Sequence, residues 1–496
     1  MTVPFTTFDK LYIDGAWVDG GSERDAIINP ATEAVIGHAP VGNAAAVDAA
    51  IAAARDAFDT GIWPRMVMSE RATCLRRMHA ALDARRQQIA ALIVAEVGCS
   101  QGITQGMQVA NPLDHLLAAV EHSTRDDSVR LPIDITPDPF NPDGPKKIGG
   151  TTVVREPVGV VAAITGYNFP FLINLAKIVP ALLAGNTMVL KPSPFTPFSA
   201  LLFGEIAEEI GLPKGVLNIV TGGPEVGTTL TCDPRVDLVT FTGSEGVGAA
   251  IMAQAAPTLK RVHLELGGKS ALIVRQDADV ARAAGMAVAV LSVNAGQGCA
   301  LLTRLVVHNS IRKAFVETAC AIASQFKIGN PADPTVAMGP LIRESQREKV
   351  ERLIAIGRDE GARIVHGGGR PAGLDKGFFT DITIFDDVDN KMTIAQEEVF
   401  GPVGCVIGFD TDEEAIRIAN DSRYGLGGGI MSKDEDRAIE LASKHFDTGM
   451  VFINVYGVAD PSMPFGGVKN SGYGREHGGL GMREFTNAKS IFVGSA

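Results

Sequence analysis

The stretch VGVVAAITGYNFPF, residues 158–171, decides the fold. A run of β-branched and small apolar residues breaks at a turn holding Gly166 and Asn168. Pro170, well suited to a first helical turn, then opens a predicted helix through 171–184. The same alternation continues with TMVL at 187–190, a helix from 197, VLNIV at 216–220 and DLVTF at 237–241. Short apolar strands alternating with helices predict βαβ units around a parallel sheet, and hence a nucleotide site at its carboxyl edge. A second series runs from SALIV at 270–274 through RLVVH and TDITIF to MVFIN at 450–454, which predicts a second α/β domain.

Toward the N-terminus, AVDAAIAAARDAF carries Val47, Ile51, Ala54 and Phe58 at helical spacing. The segment from Ser69, read as a helix cap, repeats Leu75, Met78, Leu82, Ile89 and Leu92. Residues 131–150, LPIDITPDPFNPDGPKKIGG, are rich in proline and polar groups and suit an extended arm. No internal repeat or low-complexity tract interrupts the chain.

The 496-residue length predicts two large domains or one domain with substantial attachments, and 46% hydrophobic with 21% charged residues is the balance of a folded globular protein. A net charge of -12 argues against nucleic acid or an anionic membrane as partner. Cys74, Cys99, Cys232, Cys299, Cys320 and Cys405 are scattered without zinc-ligand spacing, so no metal is expected. The N-terminus has no basic start followed by an apolar run, and residues 157–190 are interrupted by Asn168, Asn174 and Lys177. The expectation is therefore a cytoplasmic protein without a membrane segment.

Several stretches could carry chemistry. In NAGQGCALLTR, residues 294–304, Cys299 lies between Gly298 and Ala300, which reads either as a small-residue packing position or as a reachable nucleophile. HLELGGKSALIV places Glu265 at a strand end before paired glycines, where it could be an exposed carboxylate or a general base. Asn168 could serve the turn or donate to an oxyanion. Lys191 follows the strand TMVL at the predicted nucleotide edge. FTGSEGVG, 241–248, and GGPEVG, 222–227, are glycine-rich turns that suit either tight βα packing or a phosphate at a helix N-terminus. No histidine offers a partner for a papain-like Cys–His pair, which sets a hydrolase aside.

Taken in order, ITGYNFPF, LKPSPFTPFSAL, FTGSEGVG, LELGGKSALIV, NAGQGCALLTR, EEVFGPV and MPFGGVKNSGYGRE resemble the aldehyde dehydrogenase superfamily, a likeness that extends from YIDGAW near the start to EFTNAKSI near the end. The resemblance implies an α/β fold: a Rossmann-like NAD(P)-binding domain over 1–128 and 152–264, a catalytic α/β domain over 265–461, and a small β oligomerisation arm and tail over 129–151 and 478–496. It implies oxidation of an aldehyde to the acid with NAD or NADP, through a cysteine thiohemiacetal and thioester. Cys299 would be the nucleophile, Glu265 the general base, Asn168 the oxyanion donor and Lys177 a supporting lysine. Lys191, Ser193, Gly227, Gly243, Ser244, Gly267, Glu398 and Phe400 would hold the cofactor. The small-molecule aldehyde would meet Phe171, Ile173, Ala176, Gly298, Ala300, Ala459 and Phe465. A homodimer or homotetramer is implied.

Departures from the family pattern sharpen the reading. Gly166 and Tyr167 replace a Pro-Trp pair before Asn168, and Glu245 follows Ser244 where threonine is usual, so its carboxylate is expected to point away from phosphates. Pro194 stands where NAD-preferring members tend to carry a glutamate that repels a 2′-phosphate, so NADP or dual use is expected alongside NAD. Small tunnel residues imply room for a bulky aromatic or long-chain aldehyde. The alternatives are a CoA-acylating dehydrogenase, which Glu265 disfavours, and a catalytically silent cofactor-binding structural protein.

Overall fold

Val160–Ile164, Thr187–Lys191, Leu217–Ile219 and most of Leu238–Thr242 are buried along their length, as strands covered by helices on both faces must be. The computed structural model describes residues 8–123, 129–136, 138, 140–144, 146–457 and 460–494. These strands and Arg261–Glu265 form the parallel centre of an eight-stranded sheet. Leu11–Ile13 and Ala16–Val18 extend one side antiparallel, and Gly472–Tyr473 returns from far along the chain to pair with Leu264 and Glu265. Val160–Ile164 lies between Thr187–Lys191 and Leu238–Thr242, so the strand order reverses there and opens a crevice at their carboxyl ends. Residues 165–168 and 243–244 leave the sheet at that crevice.

The helix Pro170–Ala184 behaves as the sequence predicts: proline at its start, and Gly185 in the left-handed conformation (φ 96°) at its end. Leu75, Met78, Leu82, Ile89 and Leu92 are all core residues. Ser69, however, is not the cap. The helix begins at Met68, so Ser69 lies inside its first turn, and the Glu70 carboxylate accepts the N–H of Val67, the residue just ahead of the helix, at 2.9 Å. The chain then breaks at Arg85 before a second helix, Arg86–Val97.

A seven-stranded sheet draws on residues 270–453. Its strands run Arg363–His366, Thr383–Asp386, Val403–Phe409, Leu302–His308, Ser270–Val274, Gly427–Met431 and Met450–Ile453, all parallel except the first. A third, four-stranded sheet pairs Lys147–Pro157 with Thr486–Gly494 along nine residue pairs. That strand continues to Pro157, past the boundary expected at residue 151. Its tail carries exposed Ile491, Phe492 and Val493.

Candidate active site

Cys299 stands at the end of a strained loop. Asn294, Ala295 and Gly296 take left-handed backbone (φ 47°, 54° and 73°), which two residues with a Cβ adopt only under restraint. The restraint is visible. Asn294 Nδ2 donates to the Asn168 carbonyl at 2.8 Å, and the Gln297 backbone and side-chain N–H groups both donate to the Asn294 carbonyl, at 3.1 and 3.0 Å. Gln297 Oε1 accepts from the Ile342 N–H at 3.0 Å, and a Cβ on Gly296 would lie 2.1 Å from the Gly401 carbonyl carbon. Cys299 leaves this loop only partly covered. Its carbonyl presses on Gly268, where a Cβ would lie 2.3 Å from the oxygen, so a glycine at 268 is required by close backbone approach.

Asn168 reaches the same loop from the first sheet. Its Nδ2 donates to the Gln297 carbonyl at 3.0 Å, while its own carbonyl accepts from Gln108 Nε2 at 3.0 Å. One amide hydrogen is thereby committed to the loop, and an asparagine amide carries a second. Glu265 ends its strand fully buried, with no hydrogen-bond partner on either carboxylate oxygen. Burial, reinforced by nearby Glu476, holds its carboxyl well above the usual carboxylate range. Burial likewise pushes the Cys299 thiol up, with the carboxylates of Glu265, Glu398 and Glu476 adding to the effect. Lys177, inside the helix Pro170–Ala184, pairs with Glu476 at 2.8 Å in a fully desolvated ion pair.

On the cofactor side, Tyr167 ties the crevice together: its ring lies edge-on to Phe195 at 6.0 Å and to Phe400 at 5.9 Å. Lys191 is buried, with Nζ donating to its neighbour's carbonyl, Pro192 O, at 3.0 Å, and burial lowers its ammonium pKa to about 8. Ser193 Oγ accepts the Phe195 N–H at 3.3 Å. Gly227 faces the Lys191 side chain with a Cβ position 3.8 Å away, an ordinary contact, whereas a Cβ on Gly243 would strike the Phe241 ring at 2.3 Å. Ser244 precedes the helix Glu245–Ala255 with no capping bond from its hydroxyl. Glu245 does point away, held by Arg423 Nε at 3.1 Å and Asn470 Nδ2 at 2.7 Å. Glu398 is desolvated and accepts the Gly268 N–H at 2.9 Å, and a Cβ on Gly267 would lie 2.8 Å from its Oε2. Thr196 Oγ1, Thr242 Oγ1 and Lys269 Nζ are buried without partners. Thr196 and Thr242 stand just ahead of the helices Phe198–Glu209 and Glu245–Ala255, where such orphaned hydroxyls suit a dinucleotide.

The expected substrate residues fare unevenly. Phe171 is a correction: it stacks on Phe203 at 5.5 Å, fully buried in the core, because consecutive helical residues point about 100° apart and only one face of Pro170–Ala184 meets the crevice. Ile173 is nearly buried, its Cδ1 facing Gly166. Phe465 bridges Glu476 through the backbone at 2.8 and 2.7 Å. Ala459 lies outside the described residues. A cavity of about 440 Å³ next to the catalytic loop is lined by Ile103, Met107, Met286, Val290, Val293 and Tyr456, among others, none of them acidic. Ala176 lines a separate cavity of about 420 Å³ on the far side of its helix.

Sequence reading missed Gln108, Gln297, Thr240, His263 as a site residue, and Glu476. Gln297 and Asn294 were legible as polar residues within NAGQGC; Gln108 and Thr240 carried no signal, since only the fold brings them near. Among the described residues no cluster of metal-ligating side chains occurs, and no helix is long and apolar enough to cross a membrane.

The model of the aldehyde dehydrogenase family matches residues 17–491. Aminoaldehyde dehydrogenase 2 of Zea mays is 41% identical over 97% of this chain and 94% of its own. Among solved structures, an aldehyde dehydrogenase of Mycobacterium tuberculosis complexed with NAD+ superposes with a TM-score of 0.91 at 44% identity, covering 98% of both chains. A mutant of aldehyde dehydrogenase C from Pseudomonas syringae, complexed with NAD+ and octanal, gives 0.91 at 39% identity, over 99% of this chain and 97% of that one.

Proposed function

The chain belongs to the aldehyde dehydrogenase family, and from that premise we propose that it oxidises an aldehyde to its carboxylic acid on Cys299. The observation that carries this reading is convergence: Asn168 from the first sheet and Gly268 from the inter-sheet turn both contact the loop that ends in Cys299, with Glu265 at the adjoining strand end. The Cys299 thiol gives up its proton to solvent, and the thiolate adds to the aldehyde carbon, forming a C–S bond while the carbonyl π pair becomes an alkoxide. The second Asn168 N–H and the Cys299 backbone N–H stabilise that oxyanion. Lys191, Ser244 and Glu398 would hold NAD, which would supply the hydride acceptor. After oxidation the acyl group is held on Cys299 as a thioester. Glu265 then takes a proton from water, whose oxygen adds to the thioester carbonyl; the C–S bond breaks and the acid leaves. Lys177 supports the site through Glu476.

Pro194 brings no carboxylate to the ribose position, and unneutralised Arg343 stacks on the neighbouring Phe195 ring at 4.2 Å, which supports use of NADP beside NAD. For the substrate we infer a bulky apolar aldehyde, long-chain or aromatic. The cavity beside Val293 supports this by its size and by its lack of acidic residues, since a cationic aminoaldehyde would be recognised by carboxylates. The octanal bound to the Pseudomonas syringae relative agrees with it. Exposed apolar residues on the arm and tail support a homo-oligomer.

The test is a panel of aldehydes assayed with NAD, with NADP, and with or without CoA. Octanal or benzaldehyde should exceed acetaldehyde in kcat/KM, the product should be the free acid, and CoA should change nothing. CoA-dependent thioester release, or a preference for acetaldehyde, would overturn the reading.

A further inference from the structure

His263 lies two residues before Glu265 on the same strand, so both side chains point to the same face of the sheet. The histidine ring is fully buried, and its Nδ1 is 3.0 Å from Thr240 Oγ1 on the neighbouring strand. That hydroxyl also receives Lys177 Nζ at 3.0 Å, and Lys177 in turn pairs with Glu476 at 2.8 Å. An ammonium can only donate, so Thr240 accepts from Lys177. Its own hydroxyl hydrogen then has Nδ1 as an acceptor, and the tautomer that lets Nδ1 accept carries the imidazole proton on Nε2.

That proton faces the catalytic carboxyl. His263 Nε2 is 3.7 Å from Glu265 Oε1, and neither atom has a hydrogen-bond partner. Two buried, unsatisfied polar atoms this close, one a donor and one an acceptor once ionised, are an unmade hydrogen bond that a small side-chain rotation closes. The surroundings keep the ring in place: a Cβ on Gly474 would lie 2.2 Å from His263 Cδ2.

We propose that His263 is a positioning residue for the general base: its Nε2–H donates to the Glu265 carboxylate as that group ionises and, through Thr240, ties it to the Lys177–Glu476 pair. The proposal rests on the assignment of Glu265 as the base. Other charged groups acting on Glu265 are Lys177 from the helix Pro170–Ala184, Arg475 and Glu476 from the segment after Gly472–Tyr473, and Glu484 from the helix Gly478–Glu484. Lys177 and Arg475 favour its charged form, whereas Glu476 and Glu484 oppose it. None of these hydrogen-bonds to the Glu265 carboxylate, so the histidine would be the donor in contact.

The test compares His263→Gln, whose amide nitrogen reaches the Nε2 position, with His263→Asn, which reaches only toward Thr240, and with His263→Phe, which removes both contacts. Each is measured for kcat against pH and for the first-turnover burst of reduced cofactor, with NAD affinity and thermal unfolding as controls for folding. Loss of a donor to the charged form raises the pKa of the base. The acid-side midpoint of the kcat profile should therefore move to higher pH, by about one unit in His263→Asn and His263→Phe, with kcat near neutrality down about tenfold and KM and the burst unchanged. His263→Gln should restore the wild-type midpoint. If His263→Phe fails to fold, the Asn and Gln pair carries the comparison. Equal midpoints in the folded Asn and Gln variants would overturn the proposal. A parallel Glu265→Gln enzyme keeps the two readings apart: if it deacylates normally, the assignment of the base has failed, not the role of its neighbour.

Discussion

Glu265 and Glu398 are both desolvated and both adjoin the Gly267–Gly268 turn, yet their settings differ. Glu398 accepts a backbone N–H at 2.9 Å and is wedged against Gly267, whereas Glu265 has no partner on either oxygen. The Glu398 carboxylate is thus paired before anything binds, while the Thr196 and Thr242 hydroxyls beside the crevice keep unmet hydrogen bonds. The chemical side carries unmet hydrogen bonds, a thiol held protonated by its surroundings and left-handed backbone at Asn294 and Ala295. Of the two carboxylates, the one expected to grip is already paired and the one expected to react is unsatisfied, which is where polar groups must be available to a changing charge distribution.

The largest effect should come from the chemical side. Cys299→Ala should remove aldehyde oxidation by at least ~10⁴-fold while NAD still binds, because the cofactor side does not depend on the sulfur; a calorimetric titration beside the rate assay checks both halves. Glu265→Gln should lower steady-state turnover by roughly 10²–10⁴-fold but leave the burst of reduced cofactor, separating hydrolysis from oxidation. In the unaltered enzyme, activity should fall as pH drops through a midpoint above the ordinary carboxylate range, because burial raises the Glu265 pKa and only the ionised form accepts a proton. Asn168→Ala should cost about 10²-fold in kcat, about 2.7 kcal/mol, and should also loosen the loop, since the amide holds the Gln297 carbonyl; stopped-flow measurement of the first turnover would register it.

Smaller effects belong to the gripping side and the cavity. Val293→Phe should reduce kcat/KM for octanal about tenfold and leave acetaldehyde nearly unchanged, by filling volume that only the longer chain uses. Lys191 gives the mildest test. With its pKa lowered to about 8, the free enzyme loses that ammonium as pH rises through 8, so NAD affinity should weaken above that pH in the parent and not in Lys191→Ala.

Much of this was legible in the chain. The alternation from VGVVAAI to DLVTF encodes a parallel sheet because strands covered on both faces must be apolar throughout, and the motif order places Cys299, Glu265 and Asn168. Phe171 misled because adjacent helical residues face different surroundings, and only the packing against Phe203 says which one faces the core. Ser69 misled because a neighbouring Glu70 could serve the helix start instead. The buried chain through Thr240, Lys177 and Glu476 was not legible as a unit: its members are 63 and 299 residues apart, and only the packing of a helix and a returning segment against the sheet brings them into contact.

The central claim is that an acyl group rides on one sulfur and waits for one carboxylate. Intact-mass spectrometry of Glu265→Gln, quenched after mixing with octanal and NAD, tests it most directly. The account predicts a covalent increment equal to the octanoyl group, mapped to Cys299 and released by hydroxylamine. An unmodified protein after a full burst of reduced cofactor, or an increment on another residue, would contradict it.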